Sequence, residues 1–232
     1  MARIIGSPSR YIQGKGTLAE ITKYTERLGK KLLILVSKSG KKRVEEKINK
    51  AVEGTDTTVV WEIFNGECSK SEVNRIGENL KKEKCDVVVG IGGGKILDTA
   101  KAVAYYEDIA VVCVPTAAST DAPCSALSVL YTDDGQFDEY LWLPANPDII
   151  LLDTDIIVAA PVRLIVSGMG DALATYFETR ACMRSNTTSC MGGSVSKTAM
   201  ALSELCFKTL MEDGAKALLA VNAGACTPAV EN

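Results

Sequence analysis

Between Lys31 and Val114 the chain alternates short strand-like runs with segments of helical spacing, a rhythm that few folds can accommodate. Lys31–Val36, Asp86–Ile91 and Ile109–Val114 are continuous apolar runs, as expected of strands covered on both faces. Thr57–Trp61 is β-branched and strand-like. Between these runs, Val44, Ile48 and Ala51 recur at helical spacing. Ser69 and Glu72 form a capping-box pattern ahead of Val73, Ile76 and Leu80, and Ile96–Tyr106 reads as helix. Repeated strand–helix–strand units build a parallel sheet with helices on both faces, so the expected fold is α/β, with a Rossmann-like parallel-sheet domain.

The rhythm changes after Val114. Ser125–Tyr131 and Gln136–Leu143 flank the turn signal Asp133-Asp134-Gly135 and predict a β-hairpin, followed by a short strand at Ile149–Asp153. Beyond Pro161 the pattern predicts helices over Arg163–Met183, Val195–Met211 and Ala215–Ala225, with a polar loop at Ser185–Ser189. This division places a dinucleotide-binding domain at 1–160 and the first part of an all-α domain at 161–232.

Composition narrows the function. The net charge of -3, from 26 basic and 29 acidic residues, gives no general pull toward nucleic acid or anionic membrane. No apolar run approaches the roughly 20 residues needed to span a bilayer, and the first eight residues lack a secretory core. The eight cysteines are scattered without a C-x-x-C pair, which points to free thiols in a reducing, cytoplasmic setting. The chain has no histidine, which removes a Ser-His-Asp triad, a Cys-His dyad and any histidine metal ligand from these residues.

Three segments carry the site signals. Gly90-Ile91-Gly92-Gly93-Gly94-Lys95 follows a buried strand and opens a helix, so the backbone can approach a diphosphate at the positive end of the helix dipole. Lys95 stands where the third glycine of G-x-G-x-x-G would be, so this is a variant of the usual dinucleotide fingerprint. Thr116–Ser125 is a loop of small hydroxyl residues after a strand end, where open α/β sheets bind ligands. Gly168-Met169-Gly170-Asp171 puts a carboxylate in an apolar helix, which is costly unless the group is paired or bound to a cation. Asp171, Thr175 and Glu178 would share one helical face.

Gly92-Gly93-Gly94 with Asp98 and Lys101 resembles the G-G-G-x-x-x-D-x-x-K signature of the iron- and zinc-dependent alcohol dehydrogenases. Thr116–Val129 and Gly168–Tyr176 resemble the glycerol dehydrogenase branch, and the similarity runs from Tyr11 to Val230. The resemblance implies that Gly92, Gly93, Gly94, Lys95 and Asp98 hold the NAD diphosphate. It implies that Thr116, Ser119, Ser125, Leu127 and Tyr131 line the nicotinamide side. Asp121 would bond glycerol or a related polyol, and Asp171 would ligate zinc, making these two the implied catalytic residues. The implied reaction is oxidation of glycerol by NAD to dihydroxyacetone, and the family implies a homo-oligomer.

Two departures accompany this match. In the family, two histidines from a later helical region complete the zinc site; Asn232 precedes that region, so the site is expected to be incomplete here, as in a fragment, a frameshifted product or half of a split enzyme. Ser37 stands where the family usually has an acidic residue for the adenosine ribose, beside Lys38, Lys41, Lys42 and Arg43, so NADP is an expected alternative cofactor. Competing readings are a nucleotide-binding remnant without turnover and a dehydroquinate synthase-like lyase, against which the Ser119–Pro123 loop speaks.

Overall fold

The computed structural model describes residues 2–232. In chain order the elements are β1 (Arg10–Gly14), a 3-10 turn (Thr17–Glu20), α1 (Ile21–Thr25), β2 (Lys31–Val36), α2 (Lys38–Val52), β3 (Thr58–Ile63) and α3 (Lys70–Glu83). These are followed by β4 (Val87–Gly92), α4 (Gly94–Glu107), β5 (Ala110–Pro115), a 3-10 turn (Ala122–Cys124), β6 (Leu127–Tyr131) and β7 (Phe137–Trp142). The chain continues through β8 (Ile149–Asp153), α5 (Thr154–Val158), α6 (Val162–Ser185), α7 (Lys197–Asn222) and α8 (Pro228–Glu231). They form two compact units. One comprises Pro8–Thr116 and Ala122–Ile157; the other comprises Val158–Asn232 with Ala117–Asp121 and the N-terminal residues through Ser7.

The first unit is the expected Rossmann-like α/β layer. Its six strands run in the order β1-β8-β5-β4-β2-β3, and all their pairings are parallel. Successive residues of β2 feed opposite cores: Leu33 and Leu35 join Val88 and Val103, whereas Leu32, Ile34 and Val36 join Val89 and Ile48. Both faces are therefore covered, which is why these strands read as unbroken apolar runs. The predicted hairpin is present as the antiparallel pair β6–β7.

The strand β1 had no counterpart in the sequence reading. It pairs on one side, with β8, and its residues are largely exposed, so it carries little apolar pattern. Its turn is secured by the fully buried Asp153, whose carboxylate accepts from the backbone N–H of Gly16 at 3.0 Å and Leu18 at 3.3 Å. The capping box is half realised. Ser69 Oγ accepts from the Glu72 N–H at 3.4 Å, but the Glu72 carboxylate turns to Asn65 and Arg75 instead of reaching back.

The second unit is helical. Its α6 and α7 pack through Tyr176 and Phe207, whose rings lie 5.0 Å apart, with Phe177 edge-on to Phe207. The two helices expected over 195–211 and 215–225 are one continuous α7, with Gly214 inside it. A single interior glycine costs about 1 kcal/mol relative to alanine, too little to break a 26-residue helix packed along α6.

Candidate functional site

In the sheet unit, β2 connects outward to β3, while β4 lies on the other side of β2. The strand order therefore reverses between β2 and β4, and the carboxyl ends of strands at such a switch point flank a ligand crevice. The residues following those two ends are Ser37 and Gly93.

The glycines of the 90–94 run divide into two roles. A Cβ at Gly90 would lie 2.7 Å from the Ala100 Cβ, and one at Gly92 would lie 2.5 Å from the Ile96 Cδ1. These two let α4 pack closely on β4. A Cβ at Gly93 or Gly94 would meet nothing within 4 Å. Gly93 is the N-cap of α4 and supplies no side-chain cap, so the first N–H groups of this 14-residue helix face an open approach. An anion such as a dinucleotide diphosphate fits that arrangement.

Lys95 lies beside it, paired with Glu67 at 2.6 Å and set over the Tyr131 ring at 5.4 Å. Asp98 is the carboxylate expected beside the diphosphate. It is buried, ion-paired with Lys101 at 2.9 Å, and accepts from the Val129 N–H at 3.2 Å. The nearby ammonium and amide compensate the buried charge there, so the carboxylate faces the hairpin. Ser37 caps α2, its Oγ accepting from the Gly40 N–H at 3.0 Å. Among the basic residues after it, Lys41 lies over the Trp61 ring at 5.2 Å and pairs with Glu45 at 3.3 Å, while Lys38 is exposed. Thr116 donates its N–H to the Gly92 carbonyl at 3.0 Å, which fastens the end of β5 to the glycine run.

In the helical unit, Ala117–Asp121 lies across α6. A Cβ at Gly168 would fall 2.1 Å from the Ala118 carbonyl oxygen, so the close approach requires glycine there. The Ser167 hydroxyl donates to the Ser119 carbonyl at 3.2 Å, and the Asp121 N–H donates to Asp171 Oδ2 at 2.8 Å. Asp121, Asp171 and Thr175 line a cavity of about 610 Å³ with Gly168 and Leu210. Glu178 is exposed and does not line it.

The thiols offer no activated nucleophile in the core: burial pushes Cys68 and Cys113 up to about 12. All eight cysteines are free, as expected. No helix among the described residues is long and apolar enough to cross a membrane.

The sequence profile of iron-containing alcohol dehydrogenases matches residues 8–154, more than half of the chain. The chain belongs to this family. It is 46% identical over 231 residues to a glycerol dehydrogenase of Escherichia coli O6:H1, covering 100% of this chain and 63% of that relative. It is 48% identical over 224 residues to a glycerol dehydrogenase of Thermotoga maritima, covering 97% of this chain and 61% of that one. The structure superposes with a TM-score of 0.92 on a probable glycerol dehydrogenase from Sinorhizobium meliloti 1021, at 41% identity, covering 99% of this chain and 63% of the other. The chain thus spans less than two thirds of the length of these relatives.

An iron-containing alcohol dehydrogenase implies a resident metal, and the donor set present does not fit one by itself. There is no histidine, and no grouping of three or more His, Cys, Asp or Glu side chains occurs among the described residues. Asp171 supplies one carboxylate, with one of its oxygens engaged by the Asp121 N–H. A catalytic zinc site typically needs about three protein ligands. Sequence reasoning assigned no role to Glu67 or Lys101. The visible signal was Lys101 among alanines and valines three residues after Asp98, which places both on the buried face of α4.

Proposed function

We propose that this chain carries the dinucleotide-holding part and one wall of the polyol site of a glycerol dehydrogenase-type oxidoreductase. The overall reaction is glycerol plus NAD⁺ to dihydroxyacetone, NADH and a proton. The observation that carries the reading is the uncapped N-terminus of α4 behind two glycines whose Cβ positions are open, at the switch point of a parallel sheet. Identity of 46% and 48% to the two glycerol dehydrogenases supports the substrate class.

When bound, the nicotinamide ring would accept a hydride from the alcohol carbon. The N–H groups opening α4 would hold the diphosphate, and Lys95 would add positive charge once released from Glu67. Ser125, Leu127 and Tyr131 would border the nicotinamide in the sheet unit. In the helical unit, Asp121 would accept a hydrogen bond from a polyol hydroxyl. Ser37, lacking a charge at the ribose position, would admit NADP beside NAD. The free thiols suit a reducing, cytoplasmic compartment.

The donor set favours a second reading for these 232 residues alone: dinucleotide binding without turnover. Both readings are tested by measuring NADH binding and glycerol-dependent NADH formation with added zinc on one preparation. The measurements are then repeated after supplying the helical remainder of the E. coli relative. The expected result is saturable binding throughout, with glycerol oxidation only in the supplemented sample. Binding with oxidation of other alcohols but not polyols would overturn the substrate assignment. Robust glycerol turnover by the chain alone would overturn the second reading.

A further inference from the structure

Lys101 is among the largest fully buried side chains of the molecule, in the middle of α4. Its ammonium donates to the Ala122 carbonyl at 3.0 Å, to the Leu127 carbonyl, and to Ser125 through Oγ at 3.3 Å and the carbonyl at 3.5 Å. Asp98, one turn earlier, balances the charge at 2.9 Å and holds the Val129 N–H at 3.2 Å. Ser128 Oγ in turn donates to the Asp98 carbonyl at 3.0 Å. A buried ammonium is costly unless paired and hydrogen-bonded, and here its acceptors are the carbonyls of the 122–127 loop. The Ala122 and Leu127 carbonyls also accept from Ser125, but those bonds lie within the loop, whereas the Lys101 bonds tie it to α4.

We propose that Lys101 is a positioning residue: its buried ammonium fixes the Ala122–Leu127 loop on α4 and thereby sets the nicotinamide half of the cofactor site. The proposal rests on the dinucleotide reading above. The other half of the site does not depend on this contact. The opening of α4 is held to β4 where Ile96 packs against Gly92, and the helix N-terminus at Gly94 lies about two turns away from Lys101. Loss of the ammonium therefore releases this tie between the loop and α4, leaving the Asn146 bond to the Cys124 carbonyl and the diphosphate cradle in place.

Two ligands separate these effects: NADH, which engages both halves, and ADP-ribose, which lacks the nicotinamide. Each is titrated against the wild type, Lys101→Met and the double variant Asp98→Asn/Lys101→Met. The double variant removes both buried charges, so it retains a folded sample if the single substitution does not. Lys101→Arg keeps a donor and serves as the conservative rescue. NADH should bind about tenfold or more weakly to the variants without the ammonium, as expected for lost charged hydrogen bonds. ADP-ribose should change by no more than about twofold, and Lys101→Arg should recover part of the NADH affinity. Equal weakening of both ligands, or unchanged NADH affinity in a folded variant, would overturn the positioning role. Failure of the folded wild type to bind either ligand would overturn the dinucleotide reading itself, and this proposal with it.

Discussion

The backbone N–H of Asp121 donates to Asp171 Oδ2 at 2.8 Å, joining two residues that lie 50 positions apart. The carboxylate singled out in the sequence as costly within an apolar helix thus has a partner, and that partner is the loop lying across Gly168. Asp171→Ala should release the end of the loop. A hydrogen bond to a half-exposed carboxylate is worth on the order of 1 kcal/mol, so the loss should be modest in global unfolding and larger locally. Hydrogen exchange at Ala117–Asp121 is the measurement, and exchange in this loop should accelerate while α4 stays unchanged. Gly168→Ala should produce the same local change with a greater loss of stability, because its methyl group would enter the Ala118 carbonyl.

Ser37 separates capping from cofactor choice. Ser37→Ala removes the N-cap bond to Gly40 and should cost about 1 kcal/mol in denaturant unfolding. Ser37→Asp keeps a capping acceptor, so stability should hold. The added charge should repel a 2′-phosphate and weaken NADPH binding relative to NADH. Wild type that already rejects NADPH strongly would remove the role given to Ser37.

Much of this organisation was legible in the chain because two-sided burial leaves a strong mark. Val87–Ile91 and Val111–Val114 have no exposed position to interrupt their apolar runs, and Ser69 announced α3 through its cap. The edge strand β1 was not legible, since its residues are largely exposed and only Ile12 and Gly14 are partly buried. The orientation of Asp98 was equally hidden. A glycine motif specifies where backbone is open, but a side chain one turn into the helix is directed by its ion-pair partner, which depends on where the later hairpin packs.

Acid stability should report the pair formed by Glu72 and Arg75. Burial pushes the Glu72 carboxyl up, but hydrogen bonds from Arg75 and Asn65 and the guanidinium charge outweigh it, holding the group below its ordinary 4.5. The unfolded chain therefore takes up this proton more readily than the folded one. The stabilisation is fully present above the ordinary value and is lost as pH falls through the lower folded value. Arg75 is partly solvated, so screening leaves on the order of 1 kcal/mol. Glu72→Gln should lower stability at neutral pH and flatten the acid limb of a denaturant-midpoint profile. An unchanged slope below 4.5 would contradict the direction assigned to Glu72.

The most direct measurement of the central claim is calorimetric titration of NADH into the wild type and Gly93→Val. An isopropyl group at Gly93 meets no protein atom within 4 Å at its Cβ, so folding and melting temperature should be preserved. Yet the side chain would stand at the opening of α4 where a diphosphate must approach the N–H groups. The account predicts saturable binding by the wild type and affinity at least about tenfold lower in the folded variant. Equal affinity in the two, or no binding by a folded wild type, would contradict the assignment of this helix terminus to a dinucleotide.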